Sequence, residues 1–416
     1  MAFVVYEAVY FFYPKARWWG YSVPSVSYSF YVVALMGLVF LLKKDKGKNH
    51  RIMEIPQTKW IWILFLNWFL IGFIAIYPER HSLATDNYFK MLVTISFAFY
   101  LVDDEKDFDL VIWGYLFGAW YLGFVAFQTG RNSGDRVEGI GTVDTGGDAN
   151  MTAATLVPAL VLFLYYFWFS KKVWHKGIFA LGGAFVANAI VLINSRGAFL
   201  GVIASSLFFM KEIYFSRTRA KHQTKKAIFF TVCGLACLGS VIDQSTIDRF
   251  NSIKEATNVS DEGGSDGGTR TLFWKATFDL VKDHPFGAGE GTFEYYGGYY
   301  VPEYVNMGSN RNRAVHSTWF EALSELGYPG LTFFVILLFS CMRAMRKAKT
   351  ELKRKNKLEK YYQVVAIQSA FIGFMVTMTF INRLRAEVLY WLILYTMIAY
   401  NTYVLKPRNA PGVYRR

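Results

Sequence analysis

Hydrophobic runs of membrane-spanning length recur along the whole chain of 416 residues, separated by short polar turns. A helix needs roughly 20 consecutive apolar residues to cross the hydrocarbon layer of a bilayer. With 53% hydrophobic and 19% aromatic residues, the chain is far too apolar for a soluble protein of this length. We therefore predict an all-α integral membrane protein with about 12 transmembrane helices. The predicted spans are residues 27–43, 59–77, 87–102, 108–127, 151–169, 174–193, 197–211, 226–242, 317–342, 360–380 and 383–404, together with a short run at 3–14.

The short run at 3–14 is the weakest of these predictions. Glu7 interrupts it, and Pro14 and Lys15 mark its exit. We expect it to be a real element that crosses the membrane only in part.

The positions of the basic residues predict the orientation of the chain. A formal net charge of +14 could indicate a nucleic-acid partner, but most of the Lys and Arg residues fall in every second loop and in the C-terminal tail. The positive-inside rule assigns such loops to the cytoplasm. We therefore predict cytoplasmic N and C termini and no nucleic-acid partner. The basic clusters are 43–59, 171–172, 211–226, 343–360 and 406–416.

A single integral membrane domain, residues 1–416, is predicted, because the sequence has no internal repeat. Residues 243–316 form a polar insertion on the non-cytoplasmic face, too long for a simple connection. Within it, residues 269–282 have the pattern of an amphipathic helix, and the segment 283–291 breaks that helix. We expect the chemistry of the protein to lie on this face. The apolar positions of the predicted helix are Leu272, Phe273, Ala276, Phe278 and Leu280.

Neither a cofactor nor a metal is predicted. Cys233, Cys237 and Cys341 fall inside or at the ends of predicted spans, and we interpret them as packing residues. A divalent cation at the acidic segments 144–148 or 261–266 is the less favoured alternative, because neither segment matches a calcium-binding loop. Motifs for nucleotide hydrolysis or serine-hydrolase chemistry are also missing from the sequence.

Two arginines are candidates for binding an anion. Arg196 stands alone in a tight turn between two hydrophobic spans, where an ionisable group points to function or to snorkelling at the interface. Arg270 stands at the start of the predicted helix, where unpaired N–H groups and the helix dipole favour negative charge. The alternative for Arg270 is a solvated loop arginine.

His316 lies where the long insertion re-enters the membrane. Its imidazole could accept a proton from a hydroxyl group, or it could be an interface or capping residue. Thr318 and Glu321 have the spacing of a capping box for the next helix. The further candidates for substrate binding on this face are Arg136, Arg311 and Arg313.

Four segments resemble, in order and spacing, the O-antigen ligase and O-antigen polymerase superfamily of bacterial envelope glycosyltransferases. The resemblance covers about residues 150–345. The stretch from Tyr10 to Ser25 is also similar to a branch described as exosortase-associated O-glycosylation ligases. The four segments are Asn194–Gly197 (NSRG), Gly268–Thr277 (GTRTLFWKAT), His284–Phe293 (HPFGAGEGTF) and Val315–Gly327 (VHSTWFEALSELG).

This resemblance implies a GT-C-like fold in the bacterial inner membrane and a metal-independent, inverting transfer on the periplasmic side. A glycan would pass from undecaprenyl pyrophosphate, held among membrane lipids, to an acceptor hydroxyl on a lipid, a glycan or a protein. Arg196 and Arg270 match the family's pyrophosphate-binding arginines, and His316 matches its loop-end histidine. Many ligases have Asn after that histidine, whereas this chain has Ser317.

Three other functions remain open at the level of sequence. A polymerase would use the same chemistry with a second carrier-linked glycan as acceptor. A transporter or flippase for a polyprenyl-linked glycan would also be a helical bundle, but it predicts broken helices near the midplane and often inverted repeats. A structural scaffold would leave Arg196, Arg270 and His316 without a role.

Overall fold

The computed structural model describes residues 2–43, 51–216, 266–302 and 313–406, with side chains from residue 270 onward in the third range, and a few separate positions between 223 and 247. Over this part the chain is helical, with one isolated β-bridge between Ser133 and Arg136. Seven of the described helices are long and apolar enough to cross a membrane. The prediction of an all-α membrane protein is confirmed. The predicted total of 12 spans stays a prediction, since the span at 226–242 lies almost entirely outside the described residues.

The described helices agree with most of the predicted spans to within a few residues. The candidate membrane helices are α5, α6, α7, α8, α11, α12 and α13. The helices are α1 Ala2–Phe12, α2 Tyr28–Leu42, α3 Pro56–Ile71, α4 Pro78–Leu101, α5 Glu105–Thr129, α6 Ala149–Phe169, α7 Val173–Ile193, α8 Arg196–Phe215, α9 Asp266–Asp283, α10 Thr292–Tyr296, α11 Thr318–Arg354, α12 Leu358–Thr377 and α13 Glu387–Tyr400.

Helix α1 continues through Glu7, so this residue interrupts the apolar run but not the helix. Glu7 is fully buried, and its Oε1 accepts a hydrogen bond from the Tyr395 hydroxyl at 2.9 Å. A hydrogen-bonded carboxyl group can therefore sit on the inner face of this helix without breaking it. At a rise of about 1.5 Å per residue, an 11-residue helix covers roughly half of the hydrocarbon layer.

Three helix boundaries differ from the hydrophobic runs. Helix α3 ends at Ile71, earlier than the predicted 77, and α4 begins at Pro78, well before the predicted 87. Helix α11 continues to Arg354, past the predicted 342, because charged residues of good helix propensity extend it beyond the apolar run. Hydropathy therefore predicts where a chain is apolar better than where its helices end.

Helix α13 is the most deeply buried membrane helix of the described bundle. Every residue from Val388 to Tyr400 is buried, as expected for a helix that is apolar on all sides. The segment that leads into it, residues 381–386, consequently reaches the middle of one end of the bundle. We call that end the site face.

Basic residues pair with carboxylates at the opposite end of the bundle. These residues belong to two of the predicted basic clusters, and the pairs tie the ends of neighbouring helices together. The pairs are Lys43 with Asp103 at 2.7 Å, Lys349 with Glu212 at 3.1 Å, Lys357 with Glu105 at 2.9 Å and Lys360 with Asp109 at 2.7 Å. The described basic clusters thus lie together at the end remote from the site face.

Candidate active site

A kink in helix α11 is the framework of the site face. Gly327 has a non-helical backbone conformation, with φ at 66°. Pro329 has no N–H group, so the Glu325 carbonyl loses its partner within the helix. The backbone N–H of Gly289 takes that place and donates to the Glu325 carbonyl oxygen at 3.0 Å. The Tyr328 N–H donates out of the helix, to the carbonyl oxygen of Pro285 at 3.0 Å.

The loop at 284–291 fits this kink only because it is rich in glycine. A Cβ atom added to Gly287 would lie 2.5 Å from the Glu325 carbonyl oxygen. One added to Gly327 would lie 2.4 Å from the Gly287 nitrogen. Two sequence segments that are separate in the chain therefore form one unit, which we call the glycine loop and kink.

His81 attaches this unit to helices α3 and α4. The imidazole is buried and stacks on Trp68, with ring centroids 5.4 Å apart. Its Nδ1 accepts the Glu290 backbone N–H at 3.1 Å, and its Nε2 lies 2.9 Å from the Trp68 carbonyl oxygen. These two contacts require a neutral ring with its proton on Nε2. Burial lowers the pKa of His81, which agrees with that state.

Glu290, Glu321 and Glu325 surround Arg385. All three carboxylates are buried, and Arg385 forms an ion pair with Glu290. Burial acts to lower the pKa of Arg385, but these carboxylates outweigh it, so the pKa is raised and the guanidinium stays charged. The Glu325 Oε1 also accepts the Gly291 N–H at 2.8 Å. The cluster is therefore a network of alternating charges held in place by backbone groups.

Asp144 is the centre of a second charged cluster. Its carboxylate accepts hydrogen bonds from Arg383 Nη2 at 3.0 Å, from Thr142 Oγ1 at 2.9 Å and from the Glu387 N–H at 3.1 Å. The Tyr10 hydroxyl also donates to it. Asp144 belongs to an acidic segment that could have bound a divalent cation. In the structure its carboxylate is paired with the guanidinium of Arg383.

The two clusters line one cavity of about 1080 Å³, and residues of α2 and α4 also line it. We call it the carboxylate cavity. Its acidic lining residues are Asp144, Glu290, Glu294, Glu321, Glu325 and Glu387. Its basic lining residues are Arg80, Lys90, Arg383 and Arg385.

Arg196 and Arg270 line a second cavity, of about 20 Å³, which we call the arginine cavity. Arg196 is the first residue of α8, and Asn150, in the first turn of α6, lines the same cavity. Two helix N-termini therefore adjoin it. Arg136 donates to Asn150 Oδ1 at 3.2 Å. The remaining lining residues are Ser195, Gly197, Thr377, Phe380 and Ile381.

His316 lines neither cavity, but the residue before it lines the carboxylate cavity. His316 has φ of 52°, a left-handed conformation that is uncommon outside glycine. Val315 before it lines the carboxylate cavity, and the Ser317 N–H after it donates to Asn382 Oδ1 at 3.0 Å. Ile381 in turn lines the arginine cavity. The turn that carries His316 is thus fastened to a segment that reaches both cavities.

The predicted capping box at Thr318 and Glu321 is wrong. The Thr318 hydroxyl donates to the Ile381 carbonyl at 2.7 Å, and a Glu321 oxygen accepts the Leu384 N–H at 3.1 Å. The cap position of α11 is Ser317, without a side-chain cap bond. Both side chains are used to hold the segment 381–384, and not to close their own helix.

Residues 181–335 match the family model of the O-antigen ligase. This part of the chain is similar to the O-antigen ligase family. The match runs from within α7 to within α11 and includes Arg196, Arg270, the glycine loop and kink, and His316. It confirms the resemblance to the O-antigen ligase superfamily. A comparison with curated proteins gave no significant match.

The matched segment supplies only part of the site. Arg136 and Asn150 come from before it, and Arg383 and Arg385 come from after it. Sequence reasoning did not single out Asn150, His81 or the carboxylate cluster, since no local motif marks them. The similarity to the exosortase-associated branch stays a prediction.

The two predicted arginines before His316 have different outcomes. Arg313 is exposed and lines neither cavity. Arg311 lies outside the described residues, as do Cys233 and Cys237. Cys341 is buried in α11, in agreement with a packing role.

Proposed function

We propose that this protein is a membrane glycosyltransferase of the O-antigen ligase type, which moves a glycan from undecaprenyl pyrophosphate to an acceptor hydroxyl. The observation that carries the proposal is the shared cavity of Arg196 and Arg270. These arginines are distant in sequence, yet they meet beside two helix N-termini. The O-antigen ligase match over both residues supports the same reaction class.

The arginine cavity suits a diphosphate. Guanidinium groups bind phosphate oxygens through paired, charge-assisted hydrogen bonds, and helix N-termini add unpaired N–H groups. At about 20 Å³ the cavity holds roughly one water molecule. Binding of the diphosphate therefore requires the two long arginine side chains to separate.

The reaction is a single displacement at the anomeric carbon of the donor sugar. The acceptor oxygen attacks that carbon, and its bond to the phosphate oxygen breaks, so undecaprenyl pyrophosphate leaves with one more negative charge. Arg196 and Arg270 stabilise this charge without a metal ion. His316 accepts the proton of the acceptor hydroxyl. Attack opposite the leaving group inverts the configuration.

The site face would be periplasmic in a bacterial inner membrane. The described basic clusters are grouped at the opposite end of the bundle, which the positive-inside rule assigns to the cytoplasm. Both chain termini would then be cytoplasmic. The undecaprenyl chain of the donor would lie among the membrane lipids beside the bundle.

The test is transfer of a glycan from synthetic undecaprenyl-pyrophosphate donor by purified protein in the presence of a chelator. Wild type is compared with Arg196→Ala, Arg270→Ala and His316→Ala at equal folded yield. Arg346→Ala is the matched control, because Arg346 is exposed at the opposite end of α11. We expect undecaprenyl pyrophosphate to be released by wild type and control and not by the three site variants.

The labelled product separates a ligase from a polymerase, because a polymerase product stays attached to a polyprenyl carrier. Full activity in the three site variants would contradict the assignment of the site. A wild type that is inert with lipid, glycan and protein acceptors would turn attention to the transport of a polyprenyl-linked glycan.

A further inference from the structure

Residues that line the carboxylate cavity have hydrogen-bonding atoms that the fold leaves without partners. Glu290 and Glu325 are 7% and 5% exposed, and the Oε2 atom of each has no hydrogen-bond partner in the described part of the chain. The Nε of Arg385 is also unpartnered. Buried polar groups are nearly always hydrogen-bonded, so unused atoms beside a large cavity indicate a ligand.

The two carboxylates are fixed in position while they keep this capacity. Arg385 holds Glu290, and the Gly291 N–H holds Glu325 through Oε1. A carboxyl group has more hydrogen-bonding capacity than these contacts occupy. The lining therefore presents rigid acceptors, with a rigid guanidinium donor between them.

The mixture of charges selects the kind of ligand. A phosphate would be repelled by the Glu290 carboxylate, and a metal cation would be repelled by Arg385, with which Glu290 is paired. A sugar hydroxyl both donates and accepts, so it can bond to a carboxylate and to a guanidinium at once. Aromatic rings also line the cavity, and such rings stack on the apolar faces of sugars. They are Tyr6, Phe30, Tyr88, Phe89 and Phe293.

The size and place of the cavity agree with a glycan. Small-molecule sites occupy roughly 300–1,000 Å³, so a cavity of about 1080 Å³ suits an oligosaccharide. The segment 381–387 lines both cavities, and the backbone N–H of Ser317, the residue after His316, donates to Asn382 in that segment. A sugar bound here would thus lie next to the group that we assign to proton transfer.

We infer that the carboxylate cavity is a glycan-binding site in which Glu290 and Glu325 accept hydrogen bonds from sugar hydroxyls. The inference rests on the proposed function for the identity of the glycan, which is the acceptor or the sugar part of the donor. Both have the same hydroxyl chemistry, and the experiment below separates them.

The experiment measures binding and turnover in Glu290→Gln and Glu325→Gln. Glutamine keeps the shape and, at position 325, an oxygen for the Gly291 N–H, but it replaces the second oxygen with an NH2 group that cannot accept a hydrogen bond. Phe30→Ala is a second kind of variant that cannot fail through a buried charge, since Phe30 is 66% exposed. Glu54→Gln is the matched control, on an exposed residue far from the cavity.

Two fluorescent probes are titrated into each folded variant: the acceptor oligosaccharide without its lipid, and the donor oligosaccharide without its pyrophosphate. KM for each complete substrate is measured in parallel. We expect each Gln variant to bind one of the two glycans about tenfold or more weakly, which is the effect of losing a hydrogen bond that involves a charged group. The glycan whose binding is weakened is the one that occupies the cavity.

Unchanged affinity and KM for both glycans in folded Gln variants and in Phe30→Ala would overturn the inference. The binding titration does not depend on turnover. If wild type binds a glycan in this cavity but transfers nothing, the proposed function fails and the inference stands.

Discussion

The carbonyl oxygen of Glu325 accepts its hydrogen bond from Gly289, at 3.0 Å, and not from its own helix. Pro329 leaves that carbonyl without an intrahelical donor, and the glycine loop supplies one. The same residue then uses its side chain to hold the Gly291 N–H. One glutamate consequently joins the helix kink, the loop and the carboxylate cavity.

The close approach of loop and kink predicts a strong effect of Gly327→Ala. A Cβ atom there would lie 2.4 Å from a backbone nitrogen, and φ of 66° strains any residue with a side chain. We expect a loss of about 1–3 kcal/mol of stability from the backbone strain, with the clash adding to it. The measurement is thermal unfolding in detergent or nanodiscs.

Gly177→Ala is the matched control for this variant. Gly177 lies in helix α7, and nothing is within 4 Å of an added Cβ atom. Alanine favours a helix over glycine by up to about 1 kcal/mol, so this control is expected to be neutral or slightly stabilising. Equal unfolding temperatures for the two variants would contradict the structural role of the kink.

Substitutions of Arg196 and Arg270 are predicted to act mainly on kcat. Loss of a group that stabilises developing charge costs roughly 10²–10³ in kcat, so each Ala variant should fall by that factor. Lys variants should recover only part of the loss, because an ammonium lacks the two-pronged geometry of guanidinium. Single-turnover transfer with saturating donor measures this directly.

The double variant of both arginines adds a further test. Substitutions of two residues that act on the same group do not have independent effects. The double variant should therefore lose less kcat than the product of the two single losses. Losses that simply multiply would indicate that the two side chains act at separate places. Arg346→Lys serves as the control for the change of residue type.

We predict that the protonation of His81 lowers the stability of the folded protein as the pH falls below neutrality. Its pKa is lowered in the folded protein by burial, and its Nδ1 must stay unprotonated to accept the Glu290 N–H. The unfolded chain therefore binds the proton more readily than the folded one. The contribution of His81 is fully present above the unfolded pKa, about 6.5, and is lost as pH falls through the folded pKa.

The comparison is between the unfolding temperatures of wild type and His81→Asn from pH 5 to pH 8. We expect the wild type to lose stability more steeply at low pH, because Asn carries no proton equilibrium. If the two profiles run parallel over the whole range, His81 does not carry this linkage.

We predict that the contact between Trp274 and Phe320 holds Arg270 in position. These rings are stacked with centroids 5.1 Å apart, and the indole N–H donates to the Val315 carbonyl at 3.2 Å. Together they fix helix α9 to the start of α11. We expect Trp274→Ala to lower kcat by about tenfold or more, since it loses both an aromatic pair and a hydrogen bond.

Trp274→Phe separates the two contributions, because it keeps the stacking and loses only the hydrogen bond. Its kcat should lie between those of wild type and Trp274→Ala. A change in folded yield with unchanged kcat would show that the contact is structural only.

The sequence was sufficient for the parts of the molecule that depend on local pattern. Apolar runs predicted the long helices, and the isolated position of Arg196 marked it as unusual before its contacts were known. The helical spacing of apolar residues also predicted the buried face of α9, since Phe273, Ala276 and Leu280 are all buried. Phe278 is half exposed, because the helix has only one covered side.

The parts that depend on distant contacts could not be read from the sequence. His81 and Glu290 are 209 residues apart, and only the folded chain makes them partners. The capping box at Thr318 failed for the same reason. Its two side chains find partners in the segment 381–384, and these tertiary bonds replace the local ones.

The burial of helix α13 has a consequence for biosynthesis. Membrane proteins are made from the N-terminus, so this central helix leaves the ribosome after the other described helices. Arg383 and Arg385, which precede it, arrive at the same late moment. The nascent bundle must therefore keep its middle open until synthesis of this segment. We expect chains that stop before residue 381 to have neither a closed core nor a complete carboxylate cavity, because residues 382–387 and helix α13 are then missing.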